Sequence, residues 1–165
     1  MNFVSLLQKV ESSKEFKRFK EEHPDAELCI GFFIINYENE MSQEQIDYKT
    51  KDGVFSFYIQ NNEIKFNKEE IIETDEKKEL KQISSKINID IDELKELVRE
   101  KLIEENINLS IEKIIAILQM HENQQVWNLT IILHGLIIIN ILIDSSTKQI
   151  IKFDRKNLSD FIKRI

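Results

Sequence analysis

Three histidines, one cysteine and one tryptophan are the side chains of this 165-residue chain whose types best suit chemistry. His23 stands before Pro24, His121 before Glu122 and Asn123, and His134 before Gly135, all at places where regular structure should stop. A metal centre needs several His, Cys or carboxylate ligands brought together, most legibly as His-Glu-x-x-His on a helix or as paired cysteines. Neither pattern occurs, and no histidine has a second ligand at such spacing. The three are therefore expected as polar turn residues, and no metal site is predicted. His121 and Glu122, with Asp144 at the end of a neighbouring strand, could make an acid–base pair at one sheet edge, but with 32% charged residues such neighbours arise by chance. Cys29 lies inside an apolar stretch and is expected as a buried, inert thiol; being single, it forms no internal disulfide. Three glycines leave little material for a phosphate loop, a dinucleotide fingerprint or a nucleophile elbow. These residues predict no catalytic group and no cofactor.

The elements that must position these groups centre on residues 126–153, VWNLTIILHGLIIINILIDSSTKQIIKF. One reading is a single apolar helix long enough to enter a membrane; the other is strands folded back at His134-Gly135 and again at 144–148. β-branched Ile dominates both arms, a Gly interrupts them, and Asn128, Thr130, His134 and Asn140 would each cost free energy in hydrocarbon. We read strands. Trp127, Leu129, Ile131 and Leu133 then form one row, matched on the next strand by Ile137, Ile139, Ile141 and Ile143, so Trp127 is expected in the core. The opposite face carries Asn128, Thr130, Ile132, Ile138, Asn140 and Leu142, too apolar for open water and too polar for a dry core. It is the candidate interaction face. Its cover is sought in a C-terminal helix, the other half of the chain, a second copy or a partner's segment.

A formal charge of −7 argues against a nucleic-acid protein, whose affinity rests on neutralising phosphates. The basic residues from Lys148 onward read as a solvated C-terminal helix with charges that complement its dipole. The N-terminus lacks the basic start, apolar run and cleavage site of an export signal, so a cytoplasmic location is expected, without membrane association.

Along the chain, Phe3, Leu6, Leu7 and Val10 fall at helical spacing. Ser12 with Glu15 fits a capping box for a second helix over 13–22, which His23-Pro24 stops. A strand at 26–37 is apolar on both faces, with Gly31 marking a bulge or a close approach. Strands follow at 45–50, 54–60 and 63–66, turned at 51–53 and at Asn61-Asn62. Asn67 with Glu70 predicts a short helix through Ile71 and Ile72. Asp90 with Glu93 caps a helix carrying Ile91, Leu94, Leu97, Val98 and Leu102. A strand at 111–121 precedes the central stretch, and Asn157 begins a last helix with Leu158, Phe161, Ile162 and Ile165 on one side.

Two halves share this plan. Residues 21–36, EEHPDAELCIGFFIIN, lie over 104–119, EENINLSIEKIIAILQ, at an offset of 83 (104 − 21), and Tyr37 meets His121 one residue later. We infer an internal duplication and an α+β class, with 1–73 as an N-terminal helix-plus-sheet unit, 74–86 as a linker and 87–165 as a C-terminal unit. Within the second unit, Val126-Trp127-Asn128-Leu129-Thr130 and the strand running into Ile143-Asp144-Ser145-Ser146-Thr147-Lys148-Gln149-Ile150 resemble a PepSY-type domain, from about Ile91 to Phe153. That family carries a tryptophan-bearing strand and an Asp-x-x-Thr-Gly-Glu-Ile-like turn. Lys148 stands where the family has Gly, at a cost on the order of 1 kcal/mol if φ is positive, so a turn of another type is expected. The whole chain is also similar to small uncharacterised archaeal proteins of this plan.

The resemblance implies tandem helix-plus-antiparallel-sheet (PepSY/cystatin-like) units and a binding or inhibitory role without catalysis. The expected function is a non-catalytic module that binds a protein or peptide through a sheet face or edge, with a homodimer as one arrangement. The alternative is a small-molecule binder or minor hydrolase in a cleft between the units, using His121, Glu122 or Asp144.

Overall fold

The structure is a computed structural model that describes residues 1–69 and 80–157. Its elements run α1 (Phe3–Glu11), α2 (Lys14–Glu22), β1 (Glu27–Asn36), β2 (Gln43–Thr50), β3 (Gly53–Gln60), β4 (Glu63–Lys68), α3 (Ile91–Glu104), β5 (Ile111–His121), β6 (Gln124–Leu133), β7 (Ile137–Asp144) and β8 (Ile150–Asn157). The fold is α+β: the described residues form three helices and one eight-stranded sheet, ordered β4-β3-β2-β1-β5-β6-β7-β8 with every pair antiparallel. β1 and β5, from the two halves of the chain, pair at the centre of this continuous sheet.

The helices form where the apolar spacing and caps require. α1 buries Phe3, Leu6, Leu7 and Val10 on one stripe, and α3 buries Ile91, Leu94, Val98 and Leu102. The cap of α2 is Ser13 rather than the expected Ser12: its hydroxyl accepts the Phe16 N–H at 3.1 Å, while the Ser12 hydroxyl donates back to the Lys9 carbonyl. Asn67 belongs to β4, opposite Ser56, so it does not open a helix; residues 70–72 of that expected helix lie outside the described residues. β8 extends through Asn157, the expected first residue of the last helix, and Leu158, Phe161, Ile162 and Ile165 also lie outside them.

The central stretch is sheet, in the register its alternation implies. Trp127 faces Ile143, Leu129 faces Ile141, Ile131 faces Ile139 and Leu133 faces Ile137. Except for the partly buried Ile137, these side chains are buried in one cluster with the stripes of α1 and α3, Phe19 of α2, and Phe33, Ile46 and Phe57 of the other half-sheet. Trp127 is fully buried, and its indole N–H donates to the Ile89 carbonyl at 2.9 Å, so its one polar group is satisfied. Gly31 marks a close approach. The Phe3 ring lies over it, and a Cβ there would stand 2.9 Å from the ring. The bulge of β1 falls beside it, between Leu28 and Ile30.

Turn chemistry closes the hairpins. Asn61 and Asn62 take φ of 52° and 61°, and Glu122 and Asn123 take 49° and 65°, the paired left-handed conformations of a tight hairpin. Lys148 has φ 68°, so this turn keeps the positive φ that the sequence argued against. Its side chain pairs with Glu93 of α3 at 2.9 Å. Of the expected linker, residues 80–86 are described and are tied down: the Ile83 N–H donates to Leu28, and Gln125 bonds both the N–H and the carbonyl of Ser84.

Candidate functional site

All three helices bury their stripes in the core on one face of the sheet, which leaves the other face without a helix among the described residues. On that second face the six candidate residues form three successive cross-strand pairs: Asn128 opposite Leu142, Thr130 opposite Asn140, and Ile132 opposite Ile138. The apolar strip continues across the midline, with Ile117 and Ile115 of β5 beside Asn128 and Thr130, and Phe32 and Ile34 of β1 beside those. Apart from the buried Leu142, these side chains are half-buried. The Asn140 amide donates to the Asn128 side chain at 2.9 Å and to the Leu129 carbonyl at 3.0 Å. Among the described residues, the Asn128 amide nitrogen remains free to donate.

Polar strands flank the strip. On β8, Lys152, Asp154 and Lys156 stand opposite Leu142, Asn140 and Ile138. On the far side, Gln43 and Gln45 of β2 stand opposite Ile34 and Phe32, and Asp47 opposite Ile30. Asp47 is buried; Gln45 donates to its carboxylate at 2.9 Å and to Ser56 at 3.1 Å, and Ser56 donates to Glu69 at 2.6 Å. Burial pushes the Asp47 carboxyl above the usual carboxylate range, against the opposing pull of the neighbouring Ser56 and Gln45. The strip thus has an apolar centre between two polar, charged margins.

Of the acid–base candidates weighed in the sequence, Glu122 and Asp144 are bound into turns. Glu122 is the first residue of the β5–β6 hairpin, largely exposed, and 4.0 Å from His121. The Asp144 carboxylate accepts the backbone N–H groups of Ser146 and Thr147, both at 2.8 Å, and a bond from Gln124. The Thr147 N–H, with Gln124 behind it, lowers this carboxyl to about 2, so at neutral pH it is an ionised turn-former and a poor proton donor. Cys29 is buried, and burial pushes its thiol up to about 12, which makes it the inert thiol expected.

His134 lies in the β6–β7 turn, as expected, but with two carboxylates beside it. Its Nε2 lies 3.0 Å from Glu38 and its Nδ1 lies 3.4 Å from Glu112. The three side chains offer ligand atoms that all lie within 4.8 Å of one another. No spacing rule finds this group, because its members come from the ends of three different strands. A separate cavity of about 630 Å³ lies between α1, α2 and residues 82–85, lined by Leu7, Glu11, Phe16, Lys20 and Tyr48 among others. The Tyr48 hydroxyl donates to Glu11 there at 3.0 Å. No described helix is long and apolar enough to cross a membrane.

No family model and no curated protein matches the chain. Among solved structures, a Clostridium difficile 630 protein described as a "putative lipoprotein" is similar in fold, with a TM-score of 0.54 and 13% identity over 86% of this chain and 90% of that one.

Proposed function

We propose that the chain is a non-catalytic binding module of two PepSY-like units, which receives a polypeptide on the open face of its sheet. The observation that carries this reading is the run of three pairs, Asn128–Leu142, Thr130–Asn140 and Ile132–Ile138, on a face that no described helix packs against. Apolar area of that kind is costly in water, and the linked Asn128 and Asn140 side chains put polar groups within reach of an incoming polypeptide. A second copy of the chain and an extended peptide are the two occupants to test first.

The β1–β5 pairing supports the two-unit part of the reading. Phe33 pairs with Ala116, and 116 − 33 = 83 is the offset at which the halves align in sequence. At the offset of 84 that follows Tyr37, β3 (Gly53–Gln60) falls residue for residue on β7 (Ile137–Asp144). Lys148 takes the left-handed φ that Gly supplies at that place in the family.

A displayed-peptide library selected on the wild-type chain, and counter-selected on Ile132→Lys/Ile138→Lys, tests the proposal. Sequences whose affinity drops at least about tenfold on the variant, roughly 1.4 kcal/mol, are the expected result. Ligands that bind both proteins equally, or stabilisation by a metabolite alone, would reject it.

A further inference from the structure

We propose that Glu38, Glu112 and His134 form a binding site for one divalent transition-metal ion of the zinc class, at the corner where β1 ends, β5 begins and β6 turns into β7. Backbone bonds hold Glu112 and His134 directly and Glu38 through its neighbour Tyr37. The Tyr37 N–H donates to the Glu112 carbonyl at 2.9 Å, and the His134 N–H donates to the Ser110 carbonyl at 3.0 Å. The three segments are thus lashed together within one or two residues of the donors they present.

Charge gives the second part of the argument. Two carboxylates converge on one imidazole, at 3.0 and 3.4 Å. Even a protonated His134 would leave the group one negative charge in excess, and a neutral one would leave two. A dication neutralises both carboxylates and takes a ring nitrogen as well. Metal–ligand bonds of about 2.0–2.2 Å require the donor atoms to draw closer than their present 4.8 Å envelope, a movement that partly exposed side chains can make without shifting a strand. One nitrogen and two carboxylate oxygens suit zinc and its first-row neighbours, whereas magnesium and calcium prefer all-oxygen shells. Three protein ligands leave a coordination position for water or for a partner's side chain.

The test is calorimetric titration of the chelator-stripped full chain with zinc chloride, with magnesium chloride as contrast. The His134 ring protons are followed by NMR, and folding of each variant is checked by circular dichroism. One equivalent of zinc, shifted His134 resonances, and affinity losses of at least about tenfold in His134→Ala, Glu38→Gln and Glu112→Gln are expected, with His121→Ala unchanged. Absence of stoichiometric zinc binding, or wild-type affinity in a folded His134→Ala, would overturn the proposal by assigning the group to an ion pair alone.

Discussion

Asn2 and Asp90 exchange helix caps. Asn2 precedes α1 and Asp90 precedes α3, yet the Asn2 side-chain oxygen accepts the Asp92 N–H of α3 at 3.1 Å, and the Asp90 carboxylate accepts the Phe3 and Val4 N–H groups of α1 at 2.8 and 3.1 Å. Asp90 also accepts from Ile91 of its own helix. The two helix starts are therefore joined through the groups that satisfy their orphan donors, and both positive dipole ends share one carboxylate.

Asp90→Ala should consequently uncap two helices. A lost N-cap costs about 1 kcal/mol, so roughly 2 kcal/mol is expected for Asp90→Ala and about half that for Asn2→Ala. Urea denaturation of the three proteins checks this. Equal losses in the two variants would mean that Asp90 serves only α3.

Gly31→Ala should destabilise by about 1–3 kcal/mol through overpacking, because its Cβ would meet a fully buried Phe3 ring packed edge-on against Trp127. In a double-mutant cycle, Phe3→Leu should recover part of the loss. Strictly additive effects would place the strain elsewhere.

Asp144 and Asp47 should respond to pH with opposite signs. The Asp144 carboxyl is held at about 2, so the stability it contributes is present above the ordinary carboxylate value of 3.8 and is lost as pH falls toward 2. Melting temperatures of wild type and Asp144→Asn should differ at pH 5 and converge as pH falls to 2. A constant difference across that window would contradict the assignment.

Burial raises the Asp47 carboxyl, so ionisation there opposes folding as pH rises. Asp47→Asn keeps an oxygen for the Gln45 bond and should be more stable than wild type at pH 7. That gain should disappear below the ordinary carboxylate range. A less stable variant at pH 7 would show that the charge itself holds the network.

What was legible in the sequence was local and periodic. The pairing of Trp127 with Ile143 and its three successors follows from period-two alternation about a glycine turn, because a slip of one residue would move every apolar side chain to the wrong face. Asp90 was legible as the cap of α3 but not as a cap of α1, since that bond spans 87 residues. Glu38, Glu112 and His134 escaped for the same reason: strand ends meet only once the strand order is known. Ser12 with Glu15 fits the capping box, yet the adjacent Ser13, which lacks a Glu or Gln three residues on, is the residue whose hydroxyl accepts the Phe16 N–H; the sequence pattern alone chose the wrong serine. Lys148 shows side-chain and turn bonds overriding a glycine preference, with Asp144 anchoring the turn and Glu93 holding the lysine.

The open face is tested most directly by methyl NMR on isoleucine- and leucine-labelled protein, as a selected peptide is added or as protein concentration is raised. Methyl signals of Ile132, Ile138 and Leu142 should move together, while those of Ile131, Ile139 and Ile141 on the helix side stay in place. Shifts confined to Leu7, Leu28 and Ile83 around the cavity, with Ile132 and Ile138 silent, would contradict the account.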